Sequence, residues 1–113
     1  RSRALARDRE DLPPPTRVDR TGTFGVRYHD LDLNRHVNNV RYLEWALETL
    51  PAKVLDERQC TSLALQFEDE ATLGDPVRAT AQLDDDDAGL RARHRLAHTE
   101  SNRTLALAAT TWR

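Results

Sequence analysis

The chain has 113 residues, 38% of them hydrophobic, and 17 basic residues face 19 acidic ones for a net charge of −2. That length suits one domain with a single modest core and excludes a two-domain enzyme. No apolar run approaches the roughly 20 residues of a membrane-spanning helix, and near-balanced charge sets up no global field toward nucleic acid or anionic lipid. In chain order, residues 1–20 are highly charged and then stiffened by Pro13, Pro14 and Pro15. They read as a linker or arm, partly disordered, with the folded domain occupying residues 21–113. The chain starts at Arg1 and contains no Met, which reads as an excerpt of a longer polypeptide or as a chain whose leader was removed.

Residues 22–30 alternate, with Phe24, Val26 and Tyr28 on one face, as in a half-buried strand. A polar run follows. Val40, Leu43, Leu47 and Leu50 then recur at helical spacing, with Ala46 beside them. Asn38 or Asn39 is placed to cap this helix, and Pro51 to stop it, which predicts about eleven helical residues. Tyr42 and Trp45 read as packing residues of that helix. Leu63, Leu65 and Phe67 alternate within residues 61–70. Val77, Ala79, Ala81 and Leu83 alternate after a turn at Gly74, Asp75 and Pro76. Leu90, Ala92, His94 and Leu96 alternate with Arg91, Arg93 and Arg95, beyond a turn at Asp84–Asp87 and Gly89. Residues 104–112 are apolar on both faces, as in a central or doubly covered strand.

Strand, helix and four further strands make an α+β fold: a five-stranded antiparallel sheet curled around one central helix. A second copy would cover an edge or the other face, so a homodimer or higher homo-oligomer is expected. The single cysteine, Cys60, has no internal disulfide partner. It reads as a buried small hydrophobe in a reducing, cytoplasmic compartment. The arginine stripe reads as a solvated sheet face, and His94 and His98 as ordinary strand residues.

The densest polar cluster runs Asp30-Leu31-Asp32-Leu33-Asn34-Arg35-His36-Val37-Asn38-Asn39 and ends at a helix N-terminus. There, free backbone N–H groups and the helix dipole favour negative charge on a substrate oxygen, while a carboxylate and an imidazole handle protons. A metal site built from His29, Asp30, Asp32 and His36 matches no standard zinc spacing, so no metal is expected.

This run continues through Val40-Arg41-Tyr42 into Trp45, Leu47, Glu48 and Pro51. It resembles the C-terminal hot-dog domain of the acyl-ACP thioesterases, whose pattern is D-L-D-x-N-x-H-V-N-N-V-x-Y followed by W-x-L-E-x-x-P. The match is strong over residues 27–51 and weaker from Leu65 to Val77. It implies a hot-dog fold, no cofactor, and hydrolysis of an acyl thioester, with fatty acyl-ACP as the substrate that releases a free acid. An acyl-CoA thioesterase of the 4-hydroxybenzoyl-CoA type, and a non-catalytic hot-dog module that binds an acyl carrier or mediates assembly, are the alternatives.

Carried over by position, the resemblance makes Asp32 the catalytic carboxylate, as nucleophile or as base toward water. Asn34 and His36 match the family's catalytic Asn and His. A family Glu falls at Glu70, with Glu68 and Asp69 as rivals, and Ala71 stands where the family has Cys. Asn38, Asn39 and Tyr42 are placed at the substrate, the two asparagines through their backbone N–H groups. Double hot-dog chains are usual in the family, so 113 residues fit half of that unit.

Overall fold

The computed structural model describes residues 3–4 and 11–113. Its elements are β1 (Arg3–Ala4), β2 (Arg20–Gly25), a single 3₁₀ turn (Tyr28–Asp30), α1 (Asn39–Glu48), α2 (Ala52–Glu57), β3 (Cys60–Phe67), β4 (Pro76–Asp86), β5 (Gly89–His98) and β6 (Thr104–Trp112). The strands form one sheet in the order β1-β3-β6-β5-β4-β2, antiparallel throughout. The five expected strands are all present, and the two-residue β1 adds a short sixth at the β3 edge. The largely apolar β6 lies inside the sheet between β3 and β5, where both its faces are covered.

Helix α1 packs on one face. Asn38 caps it, its Oδ1 accepting the Val40 N–H at 3.0 Å, which satisfies one of the orphan donors of the first turn. The buried stripe is Tyr42, Trp45 and Ala46 with Thr49. Val40, expected on the core face, is 53% exposed. The physical reason is size: the Tyr42 and Trp45 rings outweigh the aliphatic stripe, so they set which face turns inward. Tyr42 meets Trp45 and Phe67 edge-on, with ring centroids 5.7 and 5.5 Å apart, and Phe24 stacks on Trp45. Around them close Val26, Val37, Leu65, Val77, Leu96, and Ala79, Ala106 and Ala108 of β4 and β6.

Pro51 ends α1 and also opens α2, a helix the sequence pattern did not suggest. Proline is tolerated at a helix start because its missing N–H would be unpaired there anyway. Val54 of α2 and Leu50 seal a second cluster with Leu90, Ala92 and Trp112.

Three further expectations need correction. Tyr28 does not continue the face of Phe24 and Val26: β2 stops at Gly25, the chain bends into the 3₁₀ turn, and Tyr28 is exposed. Cys60 is exposed, because it begins β3 at an irregularity in the β3–β6 register. Arg95 is not a solvated charge: its guanidinium donates to Thr104 Oγ1, Asn102 Oδ1 and Asn102 O at 2.9, 3.1 and 2.7 Å.

The β4–β5 hairpin turns at Asp87 and Ala88, and Gly89 leaves it with φ +130°. A Cβ there would sit 2.6 Å from the Trp112 carbonyl oxygen, so only glycine fits.

The expected arm over residues 1–20 lies partly outside the described residues. Its later part, from residue 11, runs across the sheet face opposite α1. The Leu12 N–H donates to Gln66 Oε1 at 2.8 Å, and the Thr16 N–H to Gln82 Oε1 at 2.7 Å. Both glutamines point away from the helix by strand alternation and are buried. Four polyproline steps of about 3.1 Å reach roughly 12 Å, close to the roughly 14 Å spanned by the three strand spacings from β3 to β4. Stiff prolines between Leu12 and Thr16 therefore suit a tie of that length. Beyond them, Arg17 pairs with Asp84 at 2.9 Å and Asp19 accepts the Leu83 N–H at 2.8 Å.

Candidate functional site

The polar run folds into a closed loop between the 3₁₀ turn and α1. Leu31 and Val37 pair across its base, and Val37 is buried in the core. The Asp32 N–H donates to His36 O at 2.8 Å, and the Arg35 N–H to Asp32 O at 3.0 Å. Arg35 takes φ +66° at the bend, so the backbone reverses within four residues.

The Asp32 carboxylate holds this loop from inside. Its Oδ1 accepts the N–H groups of Asn34 at 2.9 Å and His36 at 3.1 Å. The side chains of Asp32, Asn34 and His36 are exposed. His36 Nδ1 lies 2.9 Å from the Glu70 carboxylate, and donation of Nδ1–H to that acceptor leaves Nε2 as the nitrogen able to take a proton.

The three consecutive acids after β3 separate cleanly. Glu68 receives the Gln66 side-chain amide. Asp69 Oδ2 pairs with Arg103 Nε at 2.6 Å. Glu70 meets His36. The Glu68 and Asp69 N–H groups both reach Leu105 O, at 2.9 and 3.2 Å, so the chain leaves the ladder here and strand parity no longer decides which acid faces the loop.

Of the residues expected at the substrate, two are already engaged. The Asn38 N–H donates to Asp30 O at 2.8 Å, and its side chain caps α1, so Asn38 is occupied at both ends. The Tyr42 hydroxyl accepts the Ala71 N–H at 3.1 Å in a buried position. Burial holds that hydroxyl above its ordinary pKa. Asn39 and Tyr42 line a cavity of about 420 Å³ with Val37, Phe67 and the 68–70 loop. Asp32 borders a neighbouring cavity of about 460 Å³ with Tyr28, His29 and Leu33. His36 is bonded to a lining residue of each, through its N–H to Asp32 and through Nδ1 to Glu70.

Asp30 stands apart from this set. It is fully buried, accepts the Arg27 N–H at 2.7 Å, and pairs with the Arg27 and Arg41 guanidinium groups at 3.2 and 3.4 Å. Burial pushes its carboxyl upward, but the Arg27 hydrogen bonds and the two positive charges outweigh that and hold it below the usual carboxylate range. Its work is structural: it locks the 3₁₀ turn to α1. Two arginines on its carboxylate also repel a cation, and among the described residues no group of three or more His, Cys, Asp or Glu gathers to hold a metal.

Arg103, in the β5–β6 turn, carried no signal in the sequence. Besides Asp69 it donates to the Glu70 carbonyl at 3.3 Å. A lone arginine in a polar turn is unremarkable until the fold lays that turn beside residues 69–70.

Comparison with known proteins places these residues in context. The family model described as "Acyl-ACP thioesterase C-terminal domain" matches residues 15–113. The chain is 32% identical over 94 residues to a dodecanoyl-[acyl-carrier-protein] hydrolase, chloroplastic, of Cinnamomum camphora, covering 81% of this chain and 24% of that one. The chain thus spans about a quarter of that relative's length. Its structure is similar to a 12:0-ACP thioesterase from Umbellularia californica, at 28% identity and a TM-score of 0.81, covering 96% of this chain and 40% of that one. A 1,4-dihydroxy-2-naphthoyl-CoA thioesterase from Synechocystis shares the fold at 18% identity and a TM-score of 0.74, covering 82% and 79%.

Proposed function

Because the chain belongs to the acyl-ACP thioesterase C-terminal domain family, a hot-dog fold, we propose that it hydrolyses an acyl thioester borne on acyl carrier protein and releases the free acid. The observation that carries this reading is the His36–Glu70 contact at 2.9 Å, set against the loop that presents Asp32 and Asn34 at the N-terminal end of α1.

In this reading the thioester carbonyl lies at Asn39, where the positive end of the α1 dipole favours negative charge developing on oxygen. Asn38 contributes by capping the helix, not by touching substrate. Asp32 has one oxygen committed to two loop N–H groups, and the other is the reacting one. It takes a proton from water, whose oxygen then attacks the carbonyl carbon, or it attacks that carbon itself and forms a mixed anhydride that water hydrolyses to the free acid. Glu70 orients His36, whose Nε2 holds the attacking water in the first route and accepts the proton of the hydrolytic water in the second. In both, the C–S bond breaks as the new C–O bond is completed, and the sulfur takes the water-derived proton and leaves as a thiol. Asn34 orients the carboxylate or the thioester.

A second copy of the chain completes the assembly in this reading. Among the described residues, β2 is an unpaired sheet edge, and Val40 and Leu55 are exposed on the two helices, which suits self-association. Among the described residues, no helix is long and apolar enough to cross a membrane.

The deciding experiment is thiol release by the full chain from matched panels of acyl-ACP and acyl-CoA thioesters. Turnover on the ACP panel supports the reading. Turnover on CoA alone changes the carrier, and none on either panel overturns the enzyme in favour of a binding or assembly module.

A further inference from the structure

We infer that Arg103 is a positioning residue of the site: with Asp69 it holds the backbone of residues 69–70 so that the Glu70 carboxylate meets His36. The inference rests on the functional reading only for its kinetic consequence.

The loop that bears Glu70 has left the β ladder, so strand pairing does not fix it. Three sets of contacts replace the ladder. The Leu105 carbonyl takes two N–H groups at the start of the loop. The Tyr42 hydroxyl takes the Ala71 N–H at its end. Between them, Glu70 itself is held by its own main chain: its N–H donates to Asp69 Oδ1 at 2.8 Å, and its carbonyl accepts from Arg103 Nη2. The same guanidinium grips Asp69 Oδ2 through Nε. One planar fork thus constrains the carboxylate that holds the Glu70 amide and the Glu70 carbonyl together, a geometry a flexible ammonium does not reproduce.

Arg103 is itself anchored. Its N–H donates to Ser101 Oγ at 3.2 Å, and its carbonyl accepts the His98 N–H at 2.9 Å. Arg95 stitches the turn by three hydrogen bonds to Asn102 and Thr104, and Asn102 adopts φ +61° within it. A rigid turn therefore presents the guanidinium, which transmits the placement of the β5–β6 turn to Glu70. The pair is half-exposed, 44% at Arg103 and 49% at Asp69. Such pairs add little to global stability, so the structure has this contact where its effect falls on placement.

The test uses the full chain in two readouts. The first is the nuclear Overhauser contact between the His36 imidazole and the Glu70 side chain. It is expected in the wild type, lost in Arg103→Met and Asp69→Asn with Tm nearly unchanged, and partly restored in Arg103→Lys. Its persistence in Arg103→Met overturns the inference, whether or not the chain turns over any thioester. The second is kinetic. Arg103→Met is expected to lower kcat about tenfold at constant KM, because misplacing a group near the chemistry by an ångström is costly. The same substitution in a Glu70→Gln background is expected to change kcat no further. An equal fall in both backgrounds shows that Arg103 acts elsewhere. Absence of turnover in the wild type removes the functional reading and leaves the first readout to decide the placement.

Discussion

His36 and Glu70 lie 2.9 Å apart although one belongs to the loop before α1 and the other to the loop after β3. The packing of α1 across the sheet brings the two loops side by side. Tyr42 does this directly, since its ring is buried in the core while its hydroxyl holds the Ala71 N–H next to Glu70.

The first prediction concerns Asp32. Asp32→Asn keeps an oxygen that accepts the Asn34 and His36 N–H groups, so the loop and Tm should be preserved. The charge is lost, and kcat should fall by on the order of 10³ or more. Asp32→Ala removes the acceptor as well and should cost about 1 kcal/mol in addition. Urea unfolding and thiol-release kinetics on the two variants separate these effects. Full activity in Asp32→Asn would remove that residue from the chemistry.

A second prediction concerns Tyr42. Tyr42→Phe keeps the ring packing but strands a buried N–H at Ala71. That should cost about 1–3 kcal/mol, visible as a shifted denaturant midpoint at constant m-value. Because the stranded group adjoins Glu70, kcat should fall as well. A Tyr42→Phe protein of wild-type stability would show that the Ala71 N–H finds another acceptor.

The third prediction is acid sensitivity. His94 is buried between β4 and β6, with Nε2 2.9 Å from Thr110 Oγ1 and Nδ1 without a partner among the described residues. Burial lowers its pKa from 6.5 to about 4. A folded pKa below the unfolded one means that the unfolded chain binds the proton more readily. This group therefore imposes no pH-dependent penalty above pH 6.5, and stability is lost as pH falls from there toward 4, by about 3 kcal/mol in all. His94→Gln should flatten that part of the pH–stability curve. An unchanged curve would assign the acid sensitivity to the carboxylates instead.

The strands and the polar loop before α1 were legible because each is a local property. Alternation along β4 and β5 shows in the residues themselves, and Asp32, Asn34 and His36 lie within one five-residue run whose family pattern is specific. What escaped was decided by contacts from elsewhere. The acids 68–70 could not be ranked, because parity fails once the chain leaves the ladder at Phe67. Val40 looked like a core residue until the Tyr42 and Trp45 rings claimed the inner face. Asn38 looked like an N–H donor to substrate until Asp30 O took that hydrogen. Arg103 gave no warning, since its meaning lies in the approach of two turns.

The tie from Leu12 to Thr16 bears on the order of assembly. Its two acceptors, Gln66 on β3 and Gln82 on β4, are separated in the sheet by β6 and β5, and β6 follows both of them in sequence. No correctly spaced pair of acceptors exists until β6 has been inserted between β3 and β5. Residues 12–16 therefore cannot seat before β6, although they precede every strand from β2 onward. Protection of the Leu12 and Thr16 amides from exchange thus reports that the strand order from β3 to β4 is complete.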